Sequence, residues 1–355
     1  MDCILITGGA GFIGCELAHR IGDAGLPIVA VDNLLEQVHP KGGRPERMPA
    51  HVTLLKEDVR DPAFWERFLL THNVKVLIHF AAETGTGQSL THSARHVSVN
   101  ALGTAEMVDA LSRSGQVPDQ ILLSSSRATY GEGGWIAGGE VFYPGSRKLS
   151  DLQSGVWGFK GPNDAPGTPR PHRASDTHPK PTSVYGSTKL SQEHILASWA
   201  AAHKCPLTIL RFQNVYGPGQ SPFNPYTGII NIFHQVARKG GTIDVYEDGD
   251  IGRDFVFITD VVEACHAALQ NPPETIRTLD VGFGEVTTIL QAAQYVAKLH
   301  GAPEPVISGK FRNGDVRWAV SDPHDLEAEL GVRAKVTFEQ GCREVGEWLV
   351  AQGYA

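Results

Sequence analysis

The strongest constraint on the fold is a glycine-rich loop near the N-terminus. Residues 7–14 have the sequence TGGAGFIG, between an apolar run over 3–7, predicted as a buried strand, and a predicted helix over 12–24. Gly8 permits a tight turn, Gly11 lets the backbone approach a pyrophosphate, and Gly14 lets helix and strand pack closely. The N–H groups and the positive dipole end of the helix then face the phosphates. Because a plain strand–turn–helix can also carry glycines, the interpretation depends on its context.

Asp32 supplies that context. It ends the next predicted strand, over 28–32, and so completes a β–α–β unit around the loop. A carboxylate here accepts hydrogen bonds from ribose hydroxyls and repels a 2′-phosphate, and Asn33 stands where an arginine would accept that phosphate. The loop and Asp32 together predict a dinucleotide site for NAD rather than NADP. The alternative for Asp32 is a helix cap at the strand end.

Short apolar runs alternate with helical stretches through the first 212 residues. Further strands are predicted over 52–56, 76–80, 120–124 and 207–212, and long helices over 94–114 and 183–202. Such alternation, with strands that are apolar throughout, is typical of a parallel sheet covered on both faces. The sequence therefore predicts an α/β fold, with a Rossmann-like, doubly wound parallel sheet over 1–212 and a smaller C-terminal α+β substrate lobe over 213–355. Part of 242–275 is predicted to return to the first domain.

Residues 131–181 interrupt this alternation. The segment holds 10 glycines and 7 prolines, which exclude one long helix or strand. Its aromatic side chains, among them Trp135 and Trp157, predict an ordered insertion packed on the main body. Because it lies between two groups of candidate active-site residues, we expect either a lid or wall of the substrate site, or an embellishment of a dimer interface or of the surface.

Composition excludes several classes of function. The 355 residues carry 31 basic and 39 acidic side chains, a net charge of −8, and no basic run, which argues against nucleic-acid binding. No apolar run approaches the ~18 residues of a membrane span, and the first residues have no basic region typical of a secretion signal. The five cysteines are scattered and form no CxxC pair. They predict a reducing, cytoplasmic location, without disulfides or a cysteine zinc site.

Tyr185 and Lys189 form a candidate proton-transfer pair. They stand four residues apart at the start of the predicted helix over 183–202, so they share one helix face. A lysine ammonium favours the phenolate and lowers the pKa of the tyrosine, which can then exchange a proton near neutral pH. Ser126 lies in a serine cluster at a strand end, where its hydroxyl can bind the oxygen that Tyr185 deprotonates. The alternative is an exposed pair on a helix.

Ten motifs in a fixed order give the chain a resemblance to a known family. They are TGGAGFIG (7–14), VDN (31–33), DVRD (58–61), HFAAE (79–83), VNALGT (99–104), LSSSRATYG (123–131), YGSTK (185–189), LRFQNVYGPGQ (210–220), DGDIGRDFVFITDVV (248–262) and FRNGD (311–315). With them the chain resembles the nucleotide-sugar epimerase/dehydratase family of extended short-chain dehydrogenases/reductases. The resemblance implies tightly bound NAD, a nucleotide-diphosphate sugar as substrate, and a homodimer formed through helices 94–114 and 183–202.

The resemblance also implies individual site residues. The catalytic residues are Ser126, Tyr185 and Lys189. The cofactor residues are Gly8, Gly11, Phe12, Ile13, Gly14, Asp32, Asn33, Asp58, Val59, Phe80, Ala81, Ala82, Asn100, Ser124, Tyr185, Lys189 and Phe212. The substrate residues are Thr84, Thr86, Gln213, Asn214, Arg253 and Arg312. Asn214 and the two arginines would hold the diphosphate, since a guanidinium can form paired hydrogen bonds to phosphate oxygens. For either arginine alone, a surface ion pair is the favoured interpretation. His92 and His96 have a metal-ligand spacing but no third partner, so no metal is predicted.

Departures from the family pattern bear on the reaction. Arg127 and Ala128 follow Ser126, whereas the dehydratases carry Asp and Glu there, so dehydration is not expected. Gln213 replaces an aromatic residue of the hexose 4-epimerases, which implies a more polar sugar pocket. The long segment before Tyr185 and the loop over 83–89 resemble those of dTDP-L-rhamnose 4-epimerases.

The predicted function is therefore NAD-dependent inversion of C4 in a dTDP- or UDP-sugar. The preferred reaction converts dTDP-L-rhamnose into dTDP-6-deoxy-L-talose through a transient keto sugar, with no net oxidation. A nucleotide-sugar reductase or dehydratase of the same family, and a silent NAD-binding regulator, are the alternatives.

Overall fold

Seven parallel strands form the central sheet of the computed structural model, which describes residues 1–22, 25–222 and 228–354. In chain order they are β1 (Asp2–Thr7), β2 (Ile28–Asp32), β3 (Thr53–Lys56), β4 (Asn73–His79), β5 (Gln120–Ser126), β6 (Leu207–Phe212) and β7 (Ile276–Val281). Their order across the sheet is β7-β6-β5-β4-β1-β2-β3. The strand order reverses between β1 and β4, and the loops that follow these two strands enclose a crevice. The predicted α/β, doubly wound fold is confirmed.

Helices connect the strands and continue into the C-terminal lobe. The α-helices are Phe12–Ile21, Pro62–Thr71, Thr86–Thr91, Ser93–His96, Gly103–Ser114, Leu149–Gln153, Val184–His203, Ile229–Arg238, Ile258–Gln270, Ile289–His300, His324–Leu330 and Phe338–Ala351. A π-helical segment spans Val97–Leu102, and 3-10 turns span Arg127–Tyr130 and Pro162–Asp164. Of the helices that the structure describes, none combines the length and the apolar composition needed to cross a membrane.

The sheet is buried on both faces, as strands that are apolar throughout require. Along β1, Cys3 and Leu5 belong to one apolar cluster and Ile4 and Ile6 to another. The first cluster includes side chains of helices Pro62–Thr71, Gly103–Ser114 and Val184–His203. The second includes helices Phe12–Ile21 and Ile258–Gln270 and continues into the C-terminal lobe. The lobe and the sheet therefore share one core.

The predicted helix over 94–114 is not one regular helix, because the π-helical segment interrupts it. The segment carries Asn100, whose side chain accepts a hydrogen bond from the Glu83 N–H at 2.7 Å and donates one to the Glu83 carbonyl at 3.0 Å. Short π-helical segments often occur at functional sites. Here the segment fixes the loop that follows β4.

Three small sheets lie in the part of the C-terminal lobe that the structure describes. They pair Asn214–Tyr216 with Phe255–Phe257, Asp244–Val245 with Val306–Ile307, and Gly252–Arg253 with Thr287–Thr288 and Trp318–Ala319. The chain returns to the main sheet with helix Ile258–Gln270, which lies within the predicted range 242–275, and with strand β7, which follows that range. The sequence did not reveal β7 because Arg277 and Thr278 interrupt its apolar run, and its first half is partly exposed, as an edge strand allows. The domain division at residue 212 stays a prediction.

Residues 131–181 form a small antiparallel sheet of Trp135–Ala137, Glu140–Phe142 and Thr168–Pro169. Trp135 is buried, and its ring lies 4.9 Å from that of Phe159 in an edge contact. Further along, the N–H of His172 donates to the carbonyl of Val320 at 2.7 Å. The insertion is therefore hydrogen-bonded to the C-terminal lobe.

Candidate active site

The glycine loop after β1 is shaped by two close approaches. Gly8 has a φ of 67°, and a Cβ there would lie 2.7 Å from the backbone nitrogen of Ala81. A Cβ at Gly14 would lie 2.8 Å from the carbonyl oxygen of Gly9. Gly11 begins the following helix without a side-chain cap, which leaves N–H groups of the first turn for a ligand. This arrangement fits the pyrophosphate of a dinucleotide.

Asp32 lies beside this loop at the end of β2. Its carboxylate accepts hydrogen bonds from the N–H groups of Ala10 at 3.1 Å and Leu34 at 2.9 Å, and His39 Nε2 lies 3.8 Å away. Burial raises the pKa of Asp32, and the hydrogen bonds and His39 oppose this rise. The carboxylate therefore orients the glycine loop as well as facing the crevice.

A cleft at this end of the crevice brings together nine of the predicted cofactor residues: Gly8, Gly11, Asp32, Asn33, Asp58, Val59, Phe80, Ala81 and Ala82. The residues after β2, among them Leu35, Val38 and His39, line the same cleft. Sequence reasoning missed them, and their only signal was their place after Asp32. The donor set and the shape of the cleft fit NAD.

Other predicted cofactor residues lie around this cleft rather than in its wall. Phe12 and Ile13 begin the first helix and pack on the core. The Ser124 hydroxyl donates to the His79 carbonyl at 3.4 Å, and the Phe212 ring lies 6.4 Å from that of Phe80 in an edge contact. Their contacts with the cofactor stay predictions.

Ser126 and Tyr185 meet at the carboxyl end of β5. A hydrogen bond from the Ser126 side chain and the positive charge of Arg127 both lower the pKa of Tyr185, but burial outweighs them and raises it overall. Gly186 makes this contact possible, because a Cβ there would collide with the carbonyl of Ala128. The helix that carries Tyr185 can thus pack directly on the turn that follows Ser126.

The ammonium of Lys189 has a partner on its own helix that the sequence did not predict. Its ammonium is buried and donates to Gln192 Oε1 at 2.5 Å, one turn further along the helix. Burial lowers the pKa of Lys189 to about 7. Gln192 is held in turn by Thr104, whose hydroxyl it meets at 3.0 Å. Arg127 is the cation that lowers the pKa of Tyr185 in this structure, and the expected effect of Lys189 on the phenol stays a prediction.

A buried polar network lies behind the catalytic residues. Arg211 on β6 donates to both carboxylate oxygens of Glu193, at 2.9 and 2.7 Å, and Ser125 on β5 donates to the same carboxylate. The Tyr130 hydroxyl donates to Asp280 on β7 at 2.8 Å, and burial raises the pKa of Asp280 to about 7. These bonds tie three strands and the Tyr185 helix together. Sequence reasoning missed them, although charged residues within apolar strands were a signal.

The predicted diphosphate residues are only partly brought together. Asn214 Oδ1 accepts a hydrogen bond from Arg127 Nε at 2.9 Å. The terminal nitrogens of Arg253 donate to the carbonyls of Gly252 and Val316 and to the carboxylate of Asp315. Arg312 is exposed and lies 5.4 Å from the ring of Tyr246. It makes no hydrogen bond with Asn214 or Arg253 within the described parts of the chain.

The expected sugar side of the site contains an unpaired amide. Gln213 is 5% exposed, and neither its side-chain nitrogen nor its oxygen has a hydrogen-bond partner among the residues described. Buried polar atoms normally have partners, so this amide is a candidate for binding a ligand. Thr84 is exposed and Thr86 begins a short helix. Glu83 is not a free carboxylate, because Arg95 binds both of its oxygens, at 2.8 and 2.7 Å.

The insertion contributes Arg147 to the same region. Its guanidinium donates to Glu247 at 2.7 Å and to the carbonyl of Asp315 at 2.7 Å. Asp315 is also the carboxylate that Arg253 binds. The insertion therefore lies against the segment that supports the predicted diphosphate residues. No cluster of three or more metal-ligating side chains occurs in residues 1–22, 25–222 and 228–354.

Comparison with known proteins settles the family. The family described as "NAD dependent epimerase/dehydratase family" matches residues 4–282. The chain belongs to this family. The predictions of the family and of an NAD-dependent nucleotide-sugar epimerase, with NAD as its cofactor, are confirmed.

Individual relatives are similar over nearly the full length. The chain is 46% identical over 350 residues to dTDP-L-rhamnose 4-epimerase of Burkholderia thailandensis, covering 98% of this chain and 95% of the relative. It is 26% identical to a probable UDP-glucuronate 4-epimerase of Rhizobium meliloti, covering 97% of this chain and 96% of the relative. The structure of UDP-glucose 4-epimerase from Thermotoga maritima with UDP-glucose matches with a TM-score of 0.77 at 26% identity, covering 99% of both chains. The Thermus thermophilus UDP-glucose 4-epimerase complex with NAD gives the same values.

Proposed function

We propose that the chain inverts C4 of dTDP-L-rhamnose and so forms dTDP-6-deoxy-L-talose. The observation that carries the proposal is the 46% identity to a dTDP-L-rhamnose 4-epimerase, which extends over 98% of the chain. The relatives named for UDP-glucuronate and UDP-glucose reach only 26%. The buried amide of Gln213 supports a sugar pocket that differs from an aromatic one.

The proposed mechanism uses three side chains on adjacent elements. Tyr185 takes the proton of the C4 hydroxyl, and the Ser126 hydroxyl binds the same oxygen. NAD, when bound, would supply the hydride acceptor for C4 and then the hydride donor for the opposite face of the keto sugar. Tyr185 gives its proton back to the oxygen at that second stage, so no net oxidation occurs. Lys189, held by Gln192, would bind the nicotinamide ribose.

The site lacks the groups that a dehydratase needs. Elimination of water requires an acid and a base beside the sugar, and Arg127 and Ala128 provide neither, because a guanidinium stays protonated. Glu83, the nearest other carboxylate in the sequence, is bound on both oxygens by Arg95. Oxidation and return of the hydride need only Ser126, Tyr185, Lys189 and the cofactor.

Proton NMR of the purified NAD-loaded enzyme with dTDP-L-rhamnose in D2O tests this function. We expect new sugar signals of the C4 epimer, with hydrogen rather than deuterium at C4, because the hydride returns to the carbon that it left. UDP-glucose and UDP-glucuronate serve as comparison substrates, and Tyr185→Phe serves as the inactive control. Faster conversion of a UDP-sugar, with dTDP-L-rhamnose unchanged, would refute the substrate.

We also propose a homodimer formed through the helical segment over 93–114 and helix Val184–His203. Val97 and Leu102, both 48% exposed, support this proposal, as does a groove between the helices that Val97, Ala101 and Val184 line. Large exposed apolar side chains on neighbouring helices are typical of an interface. Analytical ultracentrifugation should give a dimer for the wild type and a shift towards monomer for Val97→Asp. A monomeric wild type would contradict the proposal.

A cytoplasmic location is proposed on the state of the cysteines. All five are buried free thiols, which suits a reducing compartment. A disulfide found by mass spectrometry of the protein isolated from its native cells would contradict this.

A further inference from the structure

Arg127 lies between the predicted catalytic residues and the predicted diphosphate residues, but it was not itself predicted as a site residue. It directly follows Ser126, and its Nε donates to Asn214 Oδ1 at 2.9 Å. Its charge acts on Tyr185 on one side and on Arg253 on the other. The side chain thus spans the distance between the residue that transfers the proton and two residues predicted to hold the diphosphate.

The terminal nitrogens of Arg127 make no hydrogen bond within the described residues, whereas those of Arg253 do. Arg253 is 4% exposed, and both of its terminal nitrogens donate to protein oxygens. Nε makes the only side-chain hydrogen bond that Arg127 has within the described residues. Its two terminal nitrogens are therefore available to a ligand, in the planar fork that matches phosphate oxygens.

The positive charge of Arg127 has no direct ion-pair partner among the described residues, although its side chain is largely shielded from water. Burial and the like charge of Arg253 lower the pKa of Arg127 to about 10, and the nearby carboxylates of Asp315 and Glu132 oppose this shift only in part. Since these carboxylates do not pair directly with Arg127, a bound anion would stabilise its guanidinium further.

We propose that Arg127 binds the oxygens of the substrate phosphate that carries the sugar, and so holds this phosphate beside Ser126 and Tyr185 while the sugar turns. The inference rests on the proposed function only in that the substrate is a nucleoside-diphosphate sugar. Arg127 stands where the dehydratases carry an acid-base residue, and the proposal gives this position a binding role instead. Arg253 then acts mainly by orienting Asp315 and the backbone around it.

Calorimetric titration of the NAD-loaded enzyme with dTDP, and separately with thymidine, tests the proposal. We expect Arg127→Gln to weaken dTDP binding about 10- to 100-fold, the effect of losing a charge-assisted pair, and to leave thymidine binding within about twofold. Arg127→Lys should recover part of the loss, since it keeps the charge but not the fork. Arg20→Gln is the control for net charge, because Arg20 lies on the far surface in an exposed pair with Glu263, and it should bind dTDP as the wild type does.

A second readout separates binding from structural damage. Removing the charge of Arg127 raises the pKa of Tyr185, so the acid limb of the kcat/KM profile should move to higher pH in Arg127→Gln and stay near the wild-type position in Arg127→Lys. Unchanged dTDP affinity in Arg127→Gln would overturn the proposal, as would equal losses in both variants. If Arg127→Gln loses NAD, Arg127→Lys decides: weaker dTDP binding with unchanged thymidine binding supports the proposal, and unchanged dTDP binding overturns it.

The dTDP binding test does not depend on whether the enzyme turns over dTDP-L-rhamnose. A wild type that binds dTDP but leaves dTDP-L-rhamnose unchanged refutes the proposed function and leaves the phosphate test valid. If the wild type prefers UDP, the same comparison is made with UDP and uridine. A wild type that binds neither diphosphate overturns both proposals.

Discussion

Replacing Glu193 by glutamine should destabilise the protein and disturb the catalytic helix together. Glu193 lies on helix Val184–His203, one turn after Lys189 and two turns after Tyr185, on the same face. Its two oxygens accept both hydrogen bonds of Arg211, and the side chains are only 5% and 7% exposed. The amide of Glu193→Gln keeps the shape but presents a donor to one donor of Arg211, and it removes the negative charge.

The size of the loss in the free energy of unfolding depends on the contacts that Arg211 keeps. Breaking a buried ion pair by removing one partner typically costs about 3–5 kcal/mol, because the other charge is left uncompensated. Arg211 keeps the ring of Tyr130, 4.7 Å from its guanidinium carbon, and the charge of Asp280 nearby. The expected loss in the free energy of unfolding is therefore near the lower end, about 3 kcal/mol.

Urea unfolding of the NAD-loaded protein measures this loss, and Glu263→Gln is the matched control. Glu263 also accepts two hydrogen bonds from one arginine, Arg20, but both side chains are more than two-fifths exposed. Exposed pairs typically contribute only about 0–1 kcal/mol. Burial is thus the main difference between the two substitutions. We also expect kcat to fall in Glu193→Gln and to stay at the wild-type value in Glu263→Gln.

The double variant Glu193→Leu with Arg211→Met tests the reasoning a second time. It removes both charges, so it should be less destabilised than the sum of the two single variants. The reasoning would be refuted if Glu193→Gln lay within about 1 kcal/mol of the wild type, or if the losses of the double variant were simply additive.

Three further predictions concern the reaction. Tyr185→Phe should lower kcat about 10²–10⁴-fold, the usual contribution of an acid–base group, while bound NAD, measured by its absorbance, stays unchanged; more than about a tenth of wild-type activity would remove Tyr185 from the mechanism. Binding titrations should show NAD preferred over NADP, because Asp32 repels a 2′-phosphate and Asn33 offers it no cation, and equal affinities would contradict this. Incubation with dTDP-glucose should give no 4-keto-6-deoxy product, detected by its absorbance in alkali; its formation at enzymatic rates would show that a base other than Glu83, which Arg95 occupies, serves the site.

The sequence alone determined the local features of the fold and the family. The glycine loop, the two strands beside it and Asp32 are close in the chain, and their periodicity and spacing predict the β–α–β unit. The predicted bounds 28–32 and 207–212 agree with strands β2 and β6, because both strands are buried on both faces and their apolar runs end where burial ends. Tyr185 and Lys189 share a helix face for the same local reason.

Only the tertiary structure decided how the site residues act on each other. Helix spacing places Lys189 near Tyr185, but Gln192 and burial determine where its ammonium points and what its pKa is. From the sequence, Arg127 was informative only because it stands where the dehydratases carry a carboxylate. Its hydrogen bond to Asn214 joins positions 87 residues apart, and sequence periodicity cannot predict such a contact. The pKa of a buried group depends on its desolvation and on the charges next to it. Its neighbours come from distant parts of the chain, so both effects arise only when the sheet, the lobe and the insertion pack together.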